Sequence, residues 1–95
     1  VYSFENDHHE LSAEHAAMLD ADAAASAFWA EVTPTYRKTC TNWVCTAKRD
    51  ATRDSRMAQL VEDCAGGRLI KSQRYGDPPR WLERAAAAAE AARGA

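Results

Sequence analysis

The sequence predicts an all-α fold: a small single domain of four or five helices. Apolar residues in the middle of the chain recur at helical spacing, so that they line one face of each segment. Capping residues (Ser, Thr or Asp) precede most of these segments. A strand-like pattern is confined to Val1-Tyr2-Ser3-Phe4, which would have no partner strand. We therefore expect a helical bundle preceded by an extended arm over residues 1–11.

The composition limits the size of the core and the class of partner. The chain has 95 residues and a hydrophobic fraction of 46%, much of it alanine, so we expect one modest core. The formal net charge of −2 gives no global attraction for nucleic acid. Residues 1–35 carry seven acidic residues and no Lys or Arg, whereas residues 36–56 carry six basic and two acidic residues. This asymmetry predicts charge complementarity within the fold or between subunits of a homo-oligomer.

Two short helices are predicted in the first third of the chain. Ser12 is a suitable N-cap for a helix over residues 13–19, and Asp22 for a second segment over residues 23–32. Alanine gives these segments high helix propensity but buries little area, so docking depends on their few bulky side chains. Those side chains are Phe28 and Trp29.

A central pair of helices is predicted at about 34–47 and 50–65. Thr33-Pro34 provides an N-cap followed by proline at the first helical position, and Gly66-Gly67 ends the second helix. A bend near Lys48 would place the two helices antiparallel or at an angle. The residues that we predict to anchor the core are Phe28, Trp29, Tyr36, Trp43, Leu60 and Val61.

The C-terminal quarter, residues 72–95, is predicted to be a connector and an alanine-rich helix. Asp77-Pro78-Pro79 supplies a cap and first-turn prolines for this helix. It belongs either to the same domain as residues 1–71 or to a partly frayed tail. Because alanine buries little area, we expect the end of this helix to extend into solvent.

The most prominent polar feature is a basic surface around the junction of the central helices. We predict it as a candidate binding surface for an acidic partner, with nucleic acid or another polyanion as an alternative to protein. No aromatic residues for base stacking alternate with these cations, since Tyr36 and Trp43 fall on the predicted core side. A small-ligand pocket beside Trp43 is a further alternative. The residues of this basic surface are Arg37, Lys38, Lys48, Arg49, Arg53 and Arg56.

The cysteine and histidine patterns predict no metal site, no cofactor and no enzyme activity. His8, His9 and His15 lack the spacing of a shared helical face, so we expect exposed polar residues. The three cysteines form no CxxC motif and are expected to be reduced thiols in the cytoplasm. Cys45 would be the most reactive thiol because it lies near Lys48, but no histidine base is close to it in the sequence.

Residues 33–67 also carry a composite motif. It consists of Thr-Pro-x-Tyr-Arg-Lys from Thr33, Trp43-Val44, Ala47-Lys48-Arg49 before Thr52-Arg53, and Arg56-Met57-Ala58 leading to Gly66. With the upstream Val1-Tyr2-Ser3-Phe4-Glu5-Asn6, the chain over residues 1–71 resembles the C-terminal region of the YdeI/OmpD-associated family (bacteriocin protection, OmdA type). No single piece of the motif is specific, but the combination is.

The resemblance implies a function only in outline. Members of this family are largely uncharacterised bacterial proteins with a proposed link to bacteriocin or antimicrobial-peptide protection and to an outer-membrane porin. The resemblance assigns no catalytic residues to this chain. The resemblance therefore implies a non-enzymatic helical module that acts by protein interaction in stress or antimicrobial protection. Its partner would be an unidentified protein or a missing upstream domain. No membrane insertion is expected from the sequence, although the family label leaves association with the cell envelope open.

Overall fold

A computed structural model describes residues 10–74 and 76–94. The predicted arm falls largely on residues 1–9, outside the described residues. Within the described ranges there are helices and no strands, which confirms the predicted all-α fold with five helices. The helices are α1 (Ala13–Ala21), α2 (Ala23–Glu31), α3 (Pro34–Cys45), α4 (Asp50–Ala65) and α5 (Arg80–Gly94), with one turn of 3₁₀ helix at Lys71–Gln73.

The first three helices begin where the sequence predicts, because each has a side chain that satisfies a free N–H group of its first turn. The side chains of Ser12, Asp22 and Thr33 each accept a hydrogen bond from the backbone N–H three residues ahead, at 3.0–3.2 Å. Pro34 occupies the first turn of α3, where its missing N–H leaves no bond unmade. These caps confirm the helix starts.

The helices pack around α2 and α4. Helix α4, from the predicted central pair, contacts each of the other four helices, and its neighbour α3 packs chiefly against α4. The most extensive contact joins α2 to the C-terminal helix α5. Phe28 of α2 and Met57 and Leu60 of α4 are fully buried between these elements. The core therefore extends well beyond the predicted pair.

Helix α5 contributes to this core as far as Ala89, and most of its last five residues are exposed. Ala85 and Ala89 are fully buried, as is Ala25 of α2. Small side chains on both helices let the two backbones approach closely, so that a helix with little apolar area still packs well. Trp81 at the start of α5 meets Tyr36 and Phe28 at ring-centroid distances of 5.0 and 6.2 Å. The alanines of α5 therefore allow this helix to pack closely against α2.

The end of α4 depends on glycine. Gly67 has φ = +70°, and the N–H groups of Gly67 and Arg68 bond to the carbonyls of Cys64 and Asp63 at 3.0 and 2.9 Å. A Cβ atom on Gly67 would lie 3.0 Å from the Cβ of Ala86 in α5. Both the left-handed backbone and the closeness of α5 therefore favour glycine here.

The predicted core anchors divide into two groups. Phe28, Tyr36 and Leu60 are buried. Trp29, Trp43 and Val61 are only partly buried and pack against the edge of the core. The two tryptophans therefore keep part of their ring surface at the protein exterior.

Candidate functional site

Arg53 of the predicted basic surface contacts the chain segment that joins α3 to α4. Its Nη1 donates to the backbone carbonyls of Ala47 and Lys48 at 2.7 and 3.4 Å, and its Nη2 forms an ion pair with Asp50. The last carbonyls of a helix and its following turn lack helical partners. Arg53 supplies donors to this segment and so fixes the bend between the two helices.

Arg56 performs a similar task one turn later. Its Nη1 donates to the carbonyl of Trp43 in the last turn of α3 at 2.6 Å. Its guanidinium lies 5.6 Å from the centroid of the Trp43 ring. Arg56 therefore joins α4 to α3 through both the backbone and the ring, which also explains why Trp43 lies at the edge of the core.

Arg37 repeats this arrangement between α3 and α2. Its Nη2 donates to the carbonyl of Trp29 in the last turn of α2 at 3.0 Å, and its guanidinium lies 5.7 Å from the Trp29 ring. Three of the six residues predicted to form a basic surface thus hold helix ends and tryptophan rings in place. The other three, Lys38, Lys48 and Arg49, are exposed, as is Arg37 itself.

The expected complementarity between the acidic first third and the basic middle takes a different form. Arg37, Arg53 and Arg56 donate to backbone carbonyls rather than to carboxylates of residues 10–35. One hydrogen bond does link the two regions, with His15 Nε2 2.9 Å from Asp54 Oδ1. His15 is 9% exposed, so the prediction that it is an exposed polar residue is wrong.

A groove of about 540 Å³ lies where α1 begins, α3 ends and α4 begins. Within it, Asp50 is paired with Arg53 and Asp54 with His15. The lining holds three carboxylates, those of Glu14, Asp50 and Asp54, against one guanidinium, so the groove is more acidic than the basic sequence around it indicates. We refer to it as the corner groove; its lining includes Glu14, His15, Cys45, Asp50, Arg53 and Asp54.

Cys45 shares this groove with a histidine, although none is near it in the sequence. Burial raises the pKa of the Cys45 thiol, and the positive charge of Arg53 opposes that effect. The Cys45 Sγ donates to the carbonyl of Glu10 at 3.4 Å. A raised pKa disfavours the thiolate, which is the nucleophilic form.

A second charged cluster, which sequence reasoning missed, lies at the other end of α4. Asp63 is 1% exposed, and its Oδ1 accepts hydrogen bonds from Gln59 Nε2, Arg68 Nε and Arg74 Nη2 at 3.0–3.1 Å. Asp63 lies three residues after Leu60, beside the apolar stripe of α4. An acidic residue beside a buried stripe, followed by arginines after the helix, is the sequence pattern that could have indicated this cluster.

The interior near Asp63 also contains two thiols and a phenol. Tyr36 Oη accepts a hydrogen bond from the backbone N–H of Ile70 at 2.8 Å. Burial raises the pKa of Tyr36, and it raises the pKa of Cys40 to about 12. Burial raises the pKa of Cys64 as well, with the nearby Cys40 and Asp63 adding to the effect. The two thiols and the phenol are therefore neutral core groups at physiological pH.

Smaller grooves elsewhere on the protein are also open to solvent. One, of about 270 Å³, is lined by Thr33, Tyr36, Thr39 and Trp81 among others. Another, of about 360 Å³, lies between Gly67 and the start of α5. Trp43 lines neither of these nor the corner groove, so the small-ligand alternative beside that ring gains no support from them.

The described residues provide neither a metal site nor a membrane span. No three of their His, Cys, Asp and Glu side chains are grouped closely enough to hold a metal ion. Among the helices of this part of the chain, none has both the length and the apolar character that crossing a membrane requires.

Comparison with known proteins gives one clear result. The model of a family described as bacteriocin-protection, YdeI or OmpD-associated matches residues 9–67. The search of curated proteins and the search of solved structures found no match. The matched range includes α1 to α4, the arginines that hold their ends and all residues that line the corner groove. The chain belongs to the bacteriocin-protection, YdeI or OmpD-associated family.

Proposed function

We propose that this chain is a non-enzymatic protein-interaction module that helps bacteria to withstand bacteriocins or other antimicrobial peptides. The observation that carries the proposal is the family match over residues 9–67, whose description names bacteriocin protection. The three unpaired cysteines accord with a reducing compartment, so we place the module in the cytoplasm.

The corner groove is the surface that we assign to the interaction. It is the largest of the grooves described above, and its lining residues all belong to the family-matched range. Glu14, Asp50 and Asp54 outnumber the single arginine in it. An excess of carboxylates favours a basic segment of a partner protein, and disfavours a nucleic acid at this site.

A binding role agrees with the chemistry of the groove better than catalysis does. The raised pKa of Cys45 disfavours the thiolate, and the Cys45 Sγ donates to the carbonyl of Glu10 rather than to His15. A thiol nucleophile needs a lowered pKa or a free base beside it.

The proposal can be tested by expressing the chain in a bacterium and challenging it with a panel of purified bacteriocins. We expect higher survival, and loss of that gain in a Glu14→Gln/Asp54→Asn variant, since the groove loses two carboxylates. A Glu83→Gln/Glu90→Gln variant makes the same charge change on α5 and serves as the matched control. Survival equal to that of cells without the protein would contradict the protective role.

The non-enzymatic part has its own readout. A bacteriocin that the cells survive is incubated with purified protein, and both are analysed by mass spectrometry. We expect the mass of the bacteriocin to be unchanged. If the two molecules bind directly, inhibition of the bacteriocin's killing activity should saturate with the amount of protein. A cleaved or modified bacteriocin at trace amounts of protein would show that the chain is an enzyme.

A further inference from the structure

We infer that Arg68 and Arg74 form a binding site for the C-terminal carboxylate of a polypeptide that ends in an apolar residue. The inference rests on the proposed interaction role and places a second contact outside the corner groove and outside the family-matched range. The two arginines converge on a single oxygen of Asp63, so their guanidinium groups lie within a few ångströms of each other.

Hydrogen bonds to the end of α4 and to the segment after it hold both arginines. Arg74 Nε donates to the carbonyl of Leu69 at 2.7 Å, while its Nη2 reaches Asp63. Arg68 lies across the end of α4, where a Cβ atom on Gly66 would overlap its Nη1. A site whose donors are already fixed loses less conformational entropy when a ligand binds.

The charges of this cluster suit a ligand with one negative charge. Two guanidinium groups face one buried carboxylate, which leaves one positive charge in excess. Glu62 lies 3.6 Å from Arg68 Nη2, but its side chain is 71% exposed and therefore screened by water. A carboxylate would balance the excess charge, whereas a doubly charged phosphate would exceed it.

Both arginines keep donors for such a ligand. A guanidinium has five N–H groups, and the hydrogen bonds to Asp63 and Leu69 use one from Arg68 and two from Arg74. Their side chains are 46% and 43% exposed, so the remaining N–H groups can reach a molecule outside the protein.

An apolar groove lies beside these donors. It has a volume of about 270 Å³ and is lined by both arginines together with Leu69, Pro78 and Leu82. The last residue of a polypeptide carries a carboxylate and a side chain on the same carbon atom. An apolar last residue would thus place its side chain against Leu69 and Leu82 while its carboxylate meets the two arginines.

Fluorescence anisotropy of a short labelled peptide that ends in leucine tests this inference on the intact chain. We expect saturable binding of the peptide with a free carboxylate, and binding about tenfold to a hundredfold weaker when the same peptide ends in an amide. Equal binding of the two peptides, or no saturable binding of either, would overturn the inference. Octanoate is added as a competitor; if it binds where the peptide does not, the polypeptide terminus is the wrong ligand.

Three variants locate the site. Arg74→Gln is expected to weaken peptide binding by the same factor as the amide, and Gly66→Ala to weaken it by displacing Arg68 without changing a charge. Arg84→Gln, an exposed arginine of α5, should leave binding unchanged, and unchanged affinity in Arg74→Gln would overturn the assignment. Circular dichroism establishes folding of each variant. Retained binding in Glu14→Gln/Asp54→Asn would separate this site from the proposed corner-groove function.

Discussion

The two ends of α4 use arginine for different purposes. At its start, Arg53 and Arg56 donate to backbone carbonyls at and beyond the end of α3. Beyond its end, Arg68 and Arg74 donate to the buried carboxylate of Asp63 and border an apolar groove. The first cluster uses its positive charge to complete a helix–helix junction. The second leaves positive charge and free donors at the surface, so proximity of basic residues in sequence is a poor guide to a binding surface.

The largest effect is expected when Asp63 loses both arginines. In an Arg68→Gln/Arg74→Gln protein, the buried carboxylate of Asp63 keeps its hydrogen bond from Gln59 but loses those from the two arginines. We expect the free energy of unfolding to fall by about 3 kcal/mol. Urea unfolding measures the change. Adding Asp63→Asn removes the buried charge and should recover most of the loss; no recovery would mean that the arginines stabilise the fold in another way.

Replacement of Arg56 should have the next largest effect. Arg56→Gln removes a charged hydrogen bond to Trp43 O and the contact with its ring, so we expect the free energy of unfolding to fall by about 2 kcal/mol. Lys48→Gln removes the same charge from the exposed neighbouring turn and should change it by less than about 0.5 kcal/mol. Equal effects of the two changes in urea unfolding would contradict the structural role of Arg56.

The thiols report on the two ends of α4 as well. Asp63 adds to the raised pKa of Cys40 and Cys64, whereas Arg53 opposes the rise at Cys45. The folded protein keeps thiol protons that the unfolded chain releases at high pH. The contribution of the buried thiols to the free energy of unfolding is therefore fully present at neutral pH and falls as the pH rises above about 9, by up to about 1.4 kcal/mol per pH unit for each buried thiol. Urea unfolding between pH 8 and pH 10.5 measures this.

Iodoacetamide gives the matching comparison in the folded state. We expect Cys45 to be alkylated first, with Cys40 and Cys64 reacting only when the protein unfolds, as followed by peptide mass spectrometry. A Cys45→Ser variant removes the early reaction. Alkylation of Cys64 before Cys45 would contradict the burial described here.

The smallest effect is expected for the exposed cations of the predicted basic surface. Changing Lys38, Lys48 and Arg49 together to glutamine should leave the free energy of unfolding within about 1 kcal/mol, because the three side chains are exposed. We expect no salt-sensitive mobility shift of mixed-sequence DNA or RNA by either protein near physiological salt. Binding by the wild type that these changes abolish would restore the polyanion alternative.

Much of the fold could be predicted because its signals are local. Ser12, Asp22 and Thr33 cap helices in a way that depends on the nearest three residues, and Gly66-Gly67 ends a helix for the same reason. The packing of α5 could not be predicted, because the burial of Ala85 and Ala89 depends on small residues of α2 far away in the sequence.

The candidate sites were less predictable for a related reason. The charges of Arg53 and Arg56 are visible in the sequence, but their acceptors are backbone carbonyls, which every residue has. His15 and Asp54 meet across 39 residues, and Asp63 meets Arg74 across 11. Only the fold brings these partners together, so the sequence indicated where charge lies but not what it contacts.

The measurement that most directly tests the contrast between the ends of α4 is peptide binding by Arg56→Gln and Arg74→Gln proteins, under conditions where both are folded. Arg56→Gln should bind the leucine-terminated peptide as the wild type does, although it is less stable. Arg74→Gln should lose about tenfold to a hundredfold in affinity. Weaker binding by Arg56→Gln with unchanged binding by Arg74→Gln would contradict the account.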